Sequence, residues 1–376
     1  KPLFQVDASM FNALLKTLAS LGHRSDSSLS IPVFDGAFKP NNLLDKAKVF
    51  AELPDLSDLA ITGEGQLLVA SGARVLALND AGNATELATF DQPVTALCVL
   101  RDNRIVVGLG DKVVIGVGTQ TEKTIDQADG KPMIAVTALY PQPDGGILVC
   151  DASDQFGCDD WAWDLMSKNR SGRLIRLDAD TGVGRVLASR LAYAFGAYDD
   201  GKNGPLVSES WAHRVSQVTG GHALDRLPGY PCRFAPSGDG GFWLTLFCSR
   251  TQLVEFVLKE TDYRQEMMKT IAPKYWVAPS FGSGTDYLEP TQSGGVKQMG
   301  ILKPWAPPRS YGLVVRFGAD MSPLFSLHSR VGGLHHGITA VAELGDTLFV
   351  LSKGAGRILK VSVSETRATL FGGDAQ

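Results

Sequence analysis

The sequence predicts an all-β chain, a six-bladed β-propeller carrying an N-terminal helical extension and a long insertion between blades five and six. Three observations carry this: a short pattern recurs six times, its early copies start 37 and 42 residues apart, and 41 of the residues are glycine. The pattern is an apolar or Thr-containing strand, a turn with Asp, Gly or Asn, and a second strand rich in Leu and Val. It reads SDLAITGEGQLLVASG from Ser57, VTALCVLRDNRIVVGLG from Val94 and VTALYPQPDGGILVCDAS from Val136. A less regular copy, YAFGAYDDGKNGPLVSES, starts at Tyr193; PCRFAPSGDGGFWLTLF follows from Pro231 and ITAVAELGDTLFVLSK from Ile338. Third strands such as ARVLALND and GRLIRLDADTG follow several copies. A four-stranded blade takes ~40–45 residues, which the spacing matches. The glycines suit the tight turns, many of which need φ > 0.

Two segments interrupt the rhythm. Within residues 1–50, FNALLKTLASLG places Leu14, Leu15, Leu18 and Leu21 on one helical face and stops at Gly22. The extended LSIPVFDGAF after it is expected to close or cap the ring. The second interruption, residues 259–310, opens with the helix-like KETDYRQEMMKTI and runs through prolines to LKPWAPPRS. A long connection in a tight fold serves as a lid, an interface or a binding loop. Met267 and Met268 with Tyr263 and Tyr275 suggest an apolar face there, for core or subunit packing or for covering the tunnel mouth. A homo-oligomer through this insertion is one expectation. Residues 1–376 read as one propeller domain.

Composition narrows the function classes. Of 376 residues, 44% are hydrophobic and 20% charged, the balance of an ordinary globular chain. A net charge of −4 leaves no surplus of Lys and Arg to neutralise phosphates, so nucleic acid is not an expected partner. No apolar run approaches the ~20 residues of a membrane span, and no secretory leader is visible from Lys1 onward. Five cysteines stand singly at 98, 150, 158, 232 and 248, without metal-ligand spacing. Cys150–Cys158 or Cys232–Cys248 could bridge in an oxidising compartment; buried thiols, and with them a cytoplasmic over a periplasmic location, are the favoured reading.

The segments CDASDQFGCDDWAWDLM, SGRLIRLDADTG, LPGYPCRFAPSGDGGFWLTLFCSR, YGLVVRF and ITAVAELGDTLFVL span over half the chain. Together they resemble the strictosidine-synthase-like family, in an uncharacterised bacterial branch. Blade one, ELPDLSDLAITGEGQLLVASG, is similar to the corresponding strands of paraoxonases and of the gluconolactonase group. The resemblance implies a six-bladed propeller in a superfamily of calcium-dependent lactonases and esterases, with plant enzymes that condense an amine with an aldehyde. It does not bring their machinery along. The calcium-ligand positions fall on Ser57 beside Asp58, near Thr137, on Phe195 and on Cys232-Arg233, a set that cannot supply the six to eight oxygens Ca²⁺ wants. The condensing enzymes' Glu falls on Ala340, with Glu343 three residues on, and PVTALCV lacks the paraoxonase-type histidines. No metal and no cofactor are therefore expected.

The tunnel column reads Asp58, Thr95, Thr137, Phe195, Arg233 and Thr339, with Tyr193 beside it, and these are the expected substrate-binding residues. A fixed Arg233 guanidinium in place of a divalent cation would grip an anionic small molecule or stabilise an oxyanion; alternatively an Arg233–Asp58 salt bridge closes the tunnel. His335 and His336, in GGLHHGITA, precede the sixth inner strand, and one of them is expected to act as general base. His213, with Glu209 nearby, is expected to be structural or to line the rim as a further substrate-binding residue. In DDWAWDLM, Asp159, Asp160 and Asp164 suit a helix cap, or with Trp161 and Trp163 a sugar site; Asp151 is expected to point to the rim. The leading expectation is a metal-independent hydrolase of an ester or lactone, anionic or sugar-like, using Arg233 and His335 or His336. The alternatives are a non-catalytic propeller binding a small anionic metabolite and an oligomeric scaffold docking partners through the insertion.

Overall fold

The structure is a computed structural model that describes residues 31–284, 286, 288–289, 297–298, 301–302 and 309–372. The helix expected over 11–22 lies outside the described residues. Six four-stranded antiparallel sheets follow one another as the blades of a propeller. Their inner strands are Leu56–Ile61, Ala96–Val99, Val136–Pro141, Ala194–Tyr198, Gly229–Pro236 and Ile338–Leu344. Second strands such as Leu67–Ser71, Gly146–Asp151 and Phe242–Ser249 are buried along their whole length. Each is covered by neighbouring blades on both faces, which explains why LLVAS, GILVCD and FWLTLFCS are nearly continuous apolar runs rather than alternating ones. The outermost strand of blade one, ATELAT over Ala84–Thr89, is mostly exposed.

The ring closes through the chain's early part. Lys48–Glu52 forms the outer strand of blade six, antiparallel to Arg357–Ser362. Arg357 Nε meets Glu52 Oε1 at 2.9 Å across that pair. Closure therefore comes from residues 48–52, ten positions beyond the extended piece expected to provide it. Residues 31–38 instead pack on blade five, with Phe34 stacked on Tyr311 at 5.6 Å and Phe38 edge-on to Phe317 at 6.4 Å.

The insertion also sits differently from the expectation. Blade five comprises Gly229–Pro236, Phe242–Ser249, Gly312–Phe317 and Pro323–Ser329 in that order, so the insertion lies inside blade five, between its second and third strands. YGLVVRF belongs to blade five rather than to a later one. Three helices lie around this end of the propeller: α1 (Trp161–Ser167), α2 (Gln252–Lys259) and α3 (Thr261–Thr270). Thr251 caps α2, its hydroxyl accepting from Val254 N at 3.3 Å. Val257 of α2 and Met267 of α3 are buried in one cluster with Leu165, Tyr193, Phe195, Tyr230, Phe247 and Trp276. The methionine face of the insertion is core, while Tyr263 is exposed.

Two regularities shape the centre. First, the pairing register slips at the tunnel position: between Leu56 and Asp58, Val136 and Ala138, Ala194 and Gly196, Pro231 and Phe234, and Ile338 and Ala340. These β-bulges leave Ser57, Thr137, Phe195, Arg233 and Thr339 out of the ladder and aim them at the axis. Second, hydroxyls latch successive blades from one through six. Ser57 donates to Val94 O at 2.5 Å, Thr95 to Val136 O at 2.6 Å and Thr137 to Ala194 O at 2.7 Å. Where the inner residue has no hydroxyl, the second strand substitutes, as Ser208 donates to Cys232 O at 2.6 Å. Thr137→Val keeps the volume but removes one latch and strands a buried carbonyl, so unfolding should cost about 1–3 kcal/mol less. Denaturant melts against the exposed control Thr85→Val check this; a difference under about 0.3 kcal/mol would mean the latches carry no stability.

Candidate functional site

Above the bulged residues lies a chamber of ≈ 430 Å³. Its floor is Ser57, Thr95, Thr137, Phe195, Arg233 and Thr339; Tyr193, Trp161 and Phe281 form aromatic walls; Asp55, Cys158, Asp159 and Lys353 complete the rim. Blade edges supply most of it, α1 gives Trp161, and the insertion gives Phe281. Trp161 packs edge-on to both Phe247 and Phe281, at 5.7 and 5.4 Å, so the wall is rigid. The structure thus brings together Thr95, Thr137, Tyr193, Phe195, Arg233 and Thr339 of the expected column. Tyr193 reaches its place with a left-handed backbone, φ 63°, its ring tilted against Trp211 at 4.3 Å.

Arg233 dominates the floor, and its donors are already committed. Nη1 donates to Ser57 O at 3.0 Å and Thr339 O at 3.4 Å; Nη2 donates to Thr95 O at 2.7 Å and Thr137 O at 2.5 Å. Nε faces Asp58 Oδ2 at 3.3 Å as an ion-pair contact, and the guanidinium carbon stands 5.3 Å from the Phe195 ring centroid. The planar fork does not remain free to grip a carboxylate. Of the two arrangements open from sequence, the structure has the Arg233–Asp58 pair.

Asp58 needs correction by one residue. The bulge turns Ser57 into the chamber and Asp58 beneath it, where it lines a separate cavity of ≈ 50 Å³ with Leu97, Ala138 and Ala197. Arg233 borders both spaces and divides them. Burial raises the Asp58 pKa against the opposing pull of Arg233 and of the Leu97 and Leu59 amides, each 2.9 Å from its carboxylate. Gly196 lets this packing form. A Cβ there would stand 2.7 Å from Arg233 Cα and closer still to Cys232 O, so only glycine allows blade four this near the bulge.

The histidines expected at the mouth do not line the chamber. His336 is buried, with Nδ1 2.7 Å from Ser310 Oγ and Nε2 2.9 Å from Arg330 O. His335 is buried beside it, its amide donating to Ser329 Oγ at 3.1 Å. Burial lowers the pKa of both. Their contribution is architectural: the carbonyl of His336 accepts from Ser352 Oγ at 2.7 Å and from Gly354 N at 3.3 Å, bracketing Lys353. His213 is also internal, with Nε2 3.1 Å from Glu255 Oε1 of α2 and Nδ1 3.2 Å from Gly229 O. It joins blades four and five to the insertion and is not a rim residue.

Other expectations resolve similarly. Asp151 is buried against Arg173 at 2.5 Å, not at the rim. Asp160 makes no side-chain cap at α1, while Asp164, buried within the helix, accepts from Trp211 Nε1 at 2.7 Å and Asn169 Nδ2 at 2.7 Å. Of that run, Asp159 and Trp161 face the chamber. Glu343 is in the opposite direction, accepting from Ser237 Oγ at 2.8 Å and Gly238 N at 2.9 Å. All five cysteines are free thiols. Among the described residues no group of three or more His, Cys, Asp or Glu could hold a metal, and none of the helices is long and apolar enough to cross a membrane.

Lys353 is a chamber residue that sequence reasoning passed over. It ends the second strand of blade six, one turn from the tunnel, and only the repeat's own geometry (the LSKGAG turn matching ASGAR of blade one) marks that place as rim. Its ammonium lies over the Phe281 ring, 5.1 Å from the centroid, and among the described residues it makes no ion pair. Protein packed around the ammonium and the nearby Arg233 charge lower its pKa, although its surface opens onto the chamber's water. Asp159 and Asp55 pull the other way.

Comparison with known proteins agrees with this architecture. The strictosidine synthase family model matches residues 140–217. The chain is 28% identical over 182 residues to strictosidine synthase-like protein 6 of Arabidopsis thaliana, and 26% identical over 190 residues to strictosidine synthase-like protein 7 of the same plant; both alignments cover 47% of this chain and 48% of the relative. The chain thus aligns with about half the length of these relatives. Among solved structures, a gluconolactonase from Xanthomonas campestris superposes with a TM-score of 0.51 at 13% identity, covering 89% of this chain and 95% of that one. A luciferin-regenerating enzyme superposes with a TM-score of 0.51 at 13% identity, covering 85% and 94%. At such identities the structural likeness shows the fold.

One residue of the lining has a directly readable ionisation state. Burial raises the Cys158 thiol to about 12, so it holds its proton at neutral pH despite bordering the chamber. Alkylation at pH 8, followed by peptide mass spectrometry, should run on the order of 10³-fold slower than for a free thiol of pKa ≈ 8.5. A rate like that of a free thiol would show the chamber wall to be open to solvent there.

Proposed function

For this propeller of the strictosidine synthase-like and gluconolactonase superfamily, we propose that the chamber binds and hydrolyses a small ester or lactone. The observation that carries the reading is Lys353: an ammonium without an ion-pair partner among the described residues, held by a rigid turn over an aromatic wall, in a chamber bordered by two carboxylates. Hydrolysis needs three things of such a site. The acyl carbon must be held while water adds to it, the negative charge growing on the carbonyl oxygen must be met by a fixed donor, and the water must lose a proton. Lys353 supplies the donor, Asp159 or Asp55 the proton acceptor, and Trp161, Tyr193, Phe195 and Phe281 the apolar clamp. The acyl C–O bond then breaks, and the products are an acid and an alcohol, one molecule when the substrate is a lactone. Arg233 supports the floor and does not touch the substrate in this scheme; His335 and His336 hold the Lys353 turn.

A second reading is favoured by a separate observation: among the described residues the lining contains no imidazole. In that reading the chamber retains a small anion on Lys353 without turnover. The two separate in one assay series, in which a panel of lactones, esters and carboxylates is followed for both product release and thermal stabilisation. Product formation that Lys353→Met lowers by on the order of 10²-fold supports hydrolysis. A saturable rise in Tm without product supports retention. Neither response from any member of the panel overturns both.

The pH dependence has a definite sign. Because the Lys353 pKa lies below its ordinary value, the ammonium is lost earlier on the alkaline side than a free lysine would be. Turnover, or anion affinity, should therefore be retained at neutral pH and fall as pH rises through that lowered pKa. Lys353→Arg, whose charge persists, should shift the alkaline limb upward. An alkaline limb unchanged in Lys353→Arg would assign it to another group.

A further inference from the structure

Four backbone carbonyls converge on the propeller axis, from Ser57, Thr95, Thr137 and Thr339 of blades one, two, three and six. Bulges free those of Ser57, Thr137 and Thr339 from the sheet ladders, that of Thr95 lies just before its strand, and below the floor Leu59, Leu97, Ala138 and Ala197 line the small cavity with Asp58. Together with the Asp58 carboxylate they form a cage of hard oxygens, which is chemistry for a cation. Arg233 donates to all four, and the Thr245 hydroxyl on the neighbouring strand also donates to Thr339 O at 3.1 Å. The sequence resemblance implies a calcium site in this region; here the residues do not fit one, because the guanidinium occupies the point where the oxygens converge.

We propose that the axis of this propeller is a cation-binding cage whose resident cation is the Arg233 side chain itself. The guanidinium, carried by blade five, bonds blades one, two, three and six at once, while Phe195 of blade four packs against its face. A divalent ion must be captured from solution, whereas this cation is delivered by the fold and cannot be chelated away. Its planar geometry matters: two nitrogens each serve two carbonyls while the third faces the carboxylate. A lysine ammonium, with three donors, cannot cover the five oxygens. The inference does not depend on what the chamber above binds or hydrolyses.

Emptying the cage tests it. Arg233→Gly should melt about 5 °C or more below the wild type, since it removes the cation facing the buried Asp58 carboxylate and the guanidinium donors to the Ser57, Thr95 and Thr137 carbonyls, while Thr339 O keeps the Thr245 hydroxyl. Methylguanidinium at about 10 mM should restore about half of that loss in the variant and leave the wild type unmoved, as a ligand binding only the folded, vacated cage does. Calcium should stabilise the variant as well, the cage then offering oxygens to a hard cation, while calcium and chelator leave the wild-type Tm unchanged. Arg233→Lys should melt below the wild type and gain nothing from methylguanidinium, because its own ammonium obstructs the space. If Arg233→Gly does not fold, recovery of folded protein on refolding with methylguanidinium or calcium replaces the melt as the readout, and failure of both overturns the proposal. It is equally overturned if Arg233→Gly melts with the wild type, if neither cation raises its Tm, or if the wild-type Tm itself rises and falls with calcium and chelator.

Discussion

The centre of this propeller is governed by unpaired carbonyls. A β-bulge turns a side chain toward the axis, but it also strips a backbone carbonyl of its ladder partner, and repeating the bulge around the ring brings these carbonyls together where water has little access. A buried carbonyl without a donor costs on the order of 1–3 kcal/mol, so even two or three of them would amount to a large part of the stability of a typical chain. Something cationic, or at least rich in donors, has to stand on the axis. Arg233, on the inner strand of blade five, meets that requirement, and much else follows from its position. Gly196 must be a glycine so that blade four can approach the bulge; Asp58 must lie beneath to balance the charge; and the chamber above becomes a closed cup rather than an open channel.

That division separates structural charge from available charge. Arg233 and Lys353 are both cations at the chamber, but one has its donors engaged and the other, among the described residues, does not. Long charged side chains act on a ligand only with the donors they have left, which puts Lys353 ahead of Arg233 as the group a ligand meets. The support of Lys353 is unusually indirect. Its amide donates to Gly337 O at 2.9 Å, its neighbour Gly354 packs on Phe281 and on the His336 carbonyl, and His336 is in turn fixed by Ser310 and Arg330. The His335-His336-Gly337 segment is thus a bracket. Gly337, at φ 65°, takes a conformation that suits glycine, and it leaves room for Phe281 where a Cβ would stand 2.6 Å from that residue's carbonyl.

The fold was legible because its signal is repeated. Six copies of one strand-turn-strand pattern outvote any single misreading, and the tunnel column could be read by laying the copies over each other. Errors arose where a local rule had to decide alone. Asp58 and Ser57 are adjacent, and a bulge, invisible as a pattern of apolar and polar residues, exchanges which of them faces inward. The insertion was placed one strand pair too late because YGLVVRF reads equally well as a third strand or as the start of a new blade. The closing strand KVFAE escaped because its partner, RILKVS, lies some 300 residues away, and no local pattern reports that pairing.

The site was less legible for a different reason. Residue types suggest chemistry only if their donors and acceptors are free, and that is decided by neighbours distant in sequence. His213 is answered by Glu255 from the insertion, His336 by Ser310 and Arg330, and Asp164 by Trp211 and Asn169. Each of these groups, taken alone in the sequence, has the chemistry of a proton-transfer or binding residue; each in the fold is satisfied and buried, and so is spent on shape. Lys353 shows the converse. Nothing in LSKGAG distinguishes that lysine from an ordinary turn residue, yet the insertion lays Phe281 beneath it, and it borders the chamber without an ion pair among the described residues. In a propeller whose axis is already filled by an arginine, the charges that face the chamber stand at its rim, on Asp55, Asp159 and Lys353.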